Sequence, residues 1–156
     1  MNLISPLGLL TANYNGHIDM EIETDTLNFI QMFKKKNNAE LKKIEGRIII
    51  SGMGGSGISG LIASALFNTN GKLQIVPWTN YDLPKWVNKN DQVICISYSG
   101  NTAETLSAAN EAIEIGCKLD VITTGGELEK LAIQNDLDIT IIESGHQPRA
   151  ALPLLL

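Results

Sequence analysis

Beyond position 46 the apolar residues fall into two alternating rhythms. Short runs of branched aliphatic residues read as buried strands at 47–50, 73–76, 92–97, 119–122 and 139–142. Between them, apolar positions recur at helical spacing. Ile58, Leu61, Ile62, Ala65 and Leu66 predict an amphipathic helix packed on a sheet, and Asn68-Thr69-Asn70-Gly71 stops it. Leu106, Ala109 and Ile113 predict a second inward face, with Asn101 as N-cap, Glu104 in capping-box position and Gly116 at the C′ position. Leu128, Leu131 and Ala132 mark a short third helix. Continuous apolar strands separated by helices mean a parallel sheet covered on both faces. The predicted fold is therefore α/β, a doubly wound, five-stranded parallel sheet flanked by helices in flavodoxin-like order. An N-terminal helix over 24–43, with Phe29, Ile30 and Phe33 on one face, precedes it. Its Lys34-Lys35-Lys36 run reads as a solvated face. These patterns divide the chain into an N-terminal segment and helix (1–44) and an α/β domain (45–147).

Composition narrows the partners. A hydrophobic fraction of 44% with 19% charged residues is that of a globular protein. The net charge of −5, with no basic block, argues against nucleic acid and anionic membranes. It leaves small anions open, because helix N-termini supply local positive field whatever the total charge. The start of the chain lacks a positively charged n-region, and Pro6 and Gly8 interrupt its apolar stretch, so a signal peptide is not expected. No window approaches a membrane span, and a cytoplasmic location is expected. Cys95 and Cys117 have no CxxC partner, so two reduced thiols are expected.

Candidate chemistry sits where strands hand over to helices. Gly52-Met53-Gly54-Gly55-Ser56-Gly57 follows the first strand and opens a helix. Its glycines allow close backbone approach to a ligand, and the helix N-terminus offers unpaired N–H groups. Ser97-Tyr98-Ser99-Gly100-Asn101-Thr102 follows the third strand in the same way and adds three hydroxyls. A phosphate offers only acceptor oxygens, so two donor-rich loops at neighbouring strand ends suit it. The first loop also fits GxGxxG, but no carboxylate stands at the end of the next strand until Asp82, which weakens a dinucleotide reading without removing it. Neither loop holds a lysine, which argues against a nucleoside triphosphatase. His17 and His146 stand alone, so no metal is expected. Arg149, in Gln147-Pro148-Arg149-Ala150-Ala151, suits either a planar oxyanion or a surface ion pair.

These three motifs, in this order and spacing, resemble the sugar isomerase (SIS) domain. With Asn80-Tyr81-Asp82-Leu83-Pro84 they are similar to the first domain of the bifunctional phosphoglucose/phosphomannose isomerases. The resemblance implies that Gly54, Gly55, Ser56, Ser97, Ser99 and Thr102 bind a sugar 6-phosphate. It implies that Arg149 stabilises an enediolate as glucose or mannose 6-phosphate interconverts with fructose 6-phosphate, without metal or organic cofactor. The alternative is a sensing module that binds sugar phosphate and catalyses nothing. Two positions depart from the family pattern: Leu61 replaces an aspartate, and Ala103-Glu104 replaces a pair of glutamates. Relatives take their glutamate base, histidine and lysine from a second SIS domain. These 156 residues are thus expected to be inactive alone, with 148–156 leading into that domain and a homodimer partner expected. Glu104, Glu143 and His146 are the acid–base candidates within the chain, and Glu104 is the poorer for being assigned to a helix cap.

Overall fold

A computed structural model of the chain describes residues 46–68 and 74–145. The predicted N-terminal helix, His17, the lysine run, His146, Arg149 and the rest of 148–156 lie outside the described residues. In order, the elements are β1 (Ile48–Ser51), α1 (Gly54–Phe67), β2 (Ile75–Trp78), β3 (Gln92–Ser97), α2 (Ala103–Ile115), β4 (Lys118–Thr123), α3 (Gly126–Gln134) and β5 (Asp138–Ile141).

The five strands form one all-parallel sheet in the order β2-β1-β3-β4-β5. The chain moves outward from β1 to one side and then returns across it to the other, so a switch point falls between β1 and β3. The expected α/β architecture and strand order are both present. Alternate residues of the central strands enter two separate cores, as the period of two requires. Ile49, Val93, Cys95, Leu119 and Val121 pack with Ala108, Ala109 and Ala112 of α2 and Leu128 and Ala132 of α3. Ile48, Ile50, Ile75 and Ile96 form the core on the opposite face, with Ala63 of α1 against it. Burial of a side chain such as Val93 or Leu128 contributes about 1.5–3 kcal/mol.

Two local features differ from the sequence reading. Strand β2 continues through Pro77 to Trp78, where the apolar run had been expected to end at Val76. Proline is tolerated because β2 is an edge of the described sheet, with β1 its partner on one side. Helix α1 does pack on the sheet, but through its small residues. Ser56, Gly57, Ser59 and Gly60 are buried, while Ile58, Leu61, Ala65 and Leu66 are exposed. The reason is close approach: a Cβ on Gly60 would lie 3.1 Å from Ile50 Cγ2. Glycine lets the helix backbone settle on β1, and that turns the larger residues outward.

At the amino ends of β1 and β3, Asp91 is buried and collects four donors. These are Arg47 N (3.0 Å), Arg47 Nε (2.9 Å), Arg47 Nη2 (2.8 Å) and Asn88 N (3.0 Å). The guanidinium also lies 4.2 Å from the Trp86 ring centroid. The hydrogen bonds from Arg47 hold the Asp91 carboxyl below the usual carboxylate range, against the opposing effect of burial. A depressed carboxylate stabilises the fold above its unfolded pKa, and that contribution is lost as the pH falls through the folded pKa. Asp91→Asn is expected to lower stability at neutral pH by about 2 kcal/mol, the scale of hydrogen bonds to a charged group. Urea denaturation would check it. The gap between variant and wild type should close as the pH drops below the ordinary aspartate range; a gap that stayed constant with pH would contradict the linkage.

Both thiols are free. Burial pushes Cys95 up to about 12, which leaves it an unreactive apolar group. Cys117 is half-buried and donates to Asn88 O at 3.4 Å; burial, then the negative charges of Asp91 and Glu111, raise its pKa. No helix among the described residues is long and apolar enough to cross a membrane.

Candidate functional site

In a parallel sheet all strands deliver their carboxyl ends to one edge. There the β1–α1 and β3–α2 loops stand side by side, because β1 and β3 are paired. They touch directly: Tyr98 N donates to Ser56 Oγ at 3.3 Å, across 42 residues of sequence. Gly52 supports the approach, since a Cβ there would lie 2.9 Å from Ile96 O. The two motifs singled out in the sequence are therefore one structural feature. A wide separation would have removed the basis for a shared anion site.

Each loop leads into a helix whose first N–H groups lack a cap. Met53 is the N-cap residue of α1 and makes no side-chain cap bond; the first helical bond runs from Gly57 N to Met53 O. The N–H groups of Gly54, Gly55 and Ser56 precede it. In α2 the N-cap residue is Thr102, also without a side-chain cap bond, and the first helical bond runs from Leu106 N to Thr102 O. Two helix N-termini thus lie beside the same pair of strand ends, each contributing partial positive charge.

The hydroxyls are already organised. Ser97 is buried, at 1% exposure, and its Oγ accepts from Gly100 N at 3.1 Å. Ser97 Oγ also lies 2.9 Å from Thr102 Oγ1, where either oxygen can donate. Ser99 sits exposed at the loop tip, with its Oγ accepting from Asn101 N at 3.2 Å. Gly100 requires a left-handed φ of +69°. Ser56, at 7% exposure, faces Tyr98 from the other loop. Gly54, Gly55, Ser56, Ser97, Ser99 and Thr102 are thereby brought together. Arg149 lies outside the described residues.

Asn101 does something other than predicted. It precedes the N-cap position, and the capping box with Glu104 does not form. Its Nδ2 donates to Ser99 O at 3.1 Å and its Oδ1 accepts from Glu127 N at 3.1 Å. Glu104 lies in the first turn of α2, where a carboxylate favours the helix dipole. Leu61 lies on the outward face of α1, and Glu143 is exposed after β5. Asp82 also has structural employment: its Oδ1 accepts from Ser107 Oγ at 2.7 Å, and its O accepts from Trp78 Nε1 at 2.6 Å.

A third loop was not singled out from the sequence. Thr123-Thr124-Gly125-Gly126 runs from the last residue of β4 to the first of α3. Thr124 N (3.2 Å) and Thr124 Oγ1 (2.6 Å) both donate to Tyr98 O. Leu128 N donates to Gly100 O at 2.9 Å. Thr123, fully buried, shapes the turn through Gly125 N and O. The signal was present as a strand followed by hydroxyls and glycines before a helix, the same local grammar as the first two loops.

Adjoining loops rich in hydroxyls and amides, at the switch point of a parallel sheet, place the chain among the α/β domains of the open, doubly wound class. The profile of the SIS domain matches residues 40–154, and the chain belongs to that family. Over 108 residues it is 44% identical to the bifunctional phosphoglucose/phosphomannose isomerase of Thermoplasma acidophilum, covering 69% of this chain and 33% of the relative. Over 115 residues it is 42% identical to the protein of that name from Caldicellulosiruptor bescii, covering 70% and 34%. The chain thus spans about a third of the length of the curated relatives it matches. The fold superposes on protein c3406 of E. coli CFT073 with a TM-score of 0.67 at 24% identity, covering 92% of this chain and 86% of that one.

Proposed function

We propose that this chain is the phosphate-anchoring SIS domain of an aldose–ketose isomerase. Its substrates are glucose 6-phosphate or mannose 6-phosphate and fructose 6-phosphate. The observation that carries the reading is the Tyr98 N to Ser56 Oγ contact, which brings two donor-rich loops together at one edge of the sheet. The sequence identity to the phosphoglucose/phosphomannose isomerases supports the choice of sugar phosphate.

The proposed division of labour follows from the chemistry. The 6-phosphate does not react, so its binding energy is available to hold C1 and C2 in position. Gly54, Gly55, Ser56, Ser97, Ser99 and Thr102 supply N–H and O–H donors to its oxygens, in a region where two helix N-termini favour negative charge. A base removes the proton on C2 of the aldose, giving a cis-enediolate, and the proton returns to C1 to form the ketose. Arg149 neutralises the oxyanion that develops between those steps. The base, and the group that opens the sugar ring, come from a second SIS domain or a dimer partner, and the protein works in the cytoplasm.

The test pairs a binding titration with a coupled assay of fructose 6-phosphate against the two aldose phosphates. Residues 1–156 are expected to bind sugar phosphate without turning it over, and the whole protein to do both. Binding without turnover in the whole protein would instead define a sensing module. Robust turnover by residues 1–156 would put the base within this chain, and Glu143 and His146 would be the first residues to replace.

A further inference from the structure

Helix α3 begins at a residue that cannot cap it. Its N-cap position is Gly125, which has no side chain and a φ of +147°. The N–H groups of its first turn are instead taken by a loop 26 residues earlier in the chain. Asn101 Oδ1 accepts from Glu127 N at 3.1 Å, and Gly100 O accepts from Leu128 N at 2.9 Å. The Asn101 side chain has a second bond, from Nδ2 to Ser99 O at 3.1 Å. One amide thus grips the tip of the phosphate loop with its nitrogen and the start of α3 with its oxygen.

We infer that Asn101 is a positioning residue for phosphate binding: it caps α3 from a distance and so fixes Ser99 in its binding geometry before the anion arrives. The inference rests on the site proposed above and adds a residue that acts through Ser99. Ser99 is exposed, and an exposed loop tip otherwise has several conformations to lose on binding. Bracing it in advance removes part of that entropic cost. Because the brace ends on α3, the contacts that the ligand adds at Ser99 tighten the same network and are felt at the amides of Glu127 and Leu128, which are not among the groups assigned to the phosphate.

The experiment uses the full-length protein, glucose 6-phosphate as probe, and three readouts: affinity by calorimetry, thermal midpoint, and amide hydrogen exchange. Wild type should show slower exchange at Glu127 and Leu128 when the sugar phosphate binds. Asn101→Ala should bind about tenfold more weakly, the equivalent of one hydrogen bond, and lose that ligand-dependent protection. Asn101→Asp retains an acceptor for Glu127 N–H, so it should recover the thermal midpoint. It loses the donor to Ser99 O and adds a negative charge, so affinity should stay low. A purely structural role would leave the ligand-dependent protection of Glu127 and Leu128 in Asn101→Ala, with affinity falling only as far as the thermal midpoint does, and that result would overturn the inference. So would wild-type affinity in Asn101→Ala, or exchange at Glu127 and Leu128 that ignores the ligand. Absence of binding in wild type would instead overturn the underlying site assignment.

Discussion

Replacing Ser97 and Ser99 together by alanine is expected to weaken sugar-phosphate binding by about 2–4 kcal/mol, since each donor lost to a charged group costs about 1.5–3 kcal/mol and the two add imperfectly. The two serines should contribute differently. Ser97 is buried and holds Gly100 N and Thr102 Oγ1, so Ser97→Ala should lower stability as well as affinity. Ser99 is exposed, and its Oγ bonds the neighbouring Asn101 N, so Ser99→Ala should lower affinity at nearly unchanged stability. Calorimetric titration with glucose 6-phosphate and urea denaturation of both single variants and the double variant separate the effects. Wild-type affinity in the double variant would refute the assignment of the phosphate loop.

Gly100→Ala should be the most damaging single substitution in the site. Its φ of +69° disfavours any residue with a Cβ, at a cost of about 1–2 kcal/mol. A Cβ there would also collide with the carbonyl oxygen of Gly125 and lie 2.9 Å from Thr123 Oγ1. Overpacking of this kind adds about 1–3 kcal/mol. The obstacle is backbone, so no side-chain rotation relieves it, and the β3–α2 and β4–α3 loops must separate. Expected are a loss of about 2–5 kcal/mol in denaturant unfolding and no measurable affinity for sugar phosphate. A variant that folds with wild-type stability would show that the two loops tolerate separation.

The architecture was open to reading because its strands are short β-branched runs that a buried parallel sheet demands. Ile48-Ile49-Ile50 and Val93-Ile94-Cys95-Ile96 fit no exposed structure. The β1–α1 and β3–α2 loops were legible for a similar reason, as clustered glycines and hydroxyls at a strand-to-helix turn stand out from the apolar runs around them. The face of α1 was not, since apolar periodicity marks a stripe without saying which neighbour receives it. Gly60 decided that by letting the helix backbone settle on Ile50 of β1. Asn101 illustrates a second limit. Asparagine before a helix has a good local use as a cap, and nothing in the sequence shows a partner 26 residues away with an uncapped helix. The β4–α3 loop was legible in form but not in purpose, because its bonds run to Tyr98 and Gly100.

The Tyr98 peptide unites segments from three strands, its N–H engaged by Ser56 and its carbonyl by Thr124. Anyone re-engineering ligand preference on this scaffold by transplanting a single segment from another domain would sever one of those ties. The unit of exchange is a composite cassette spanning residues 52–57, 97–102 and 123–127, which must travel together to keep its shape.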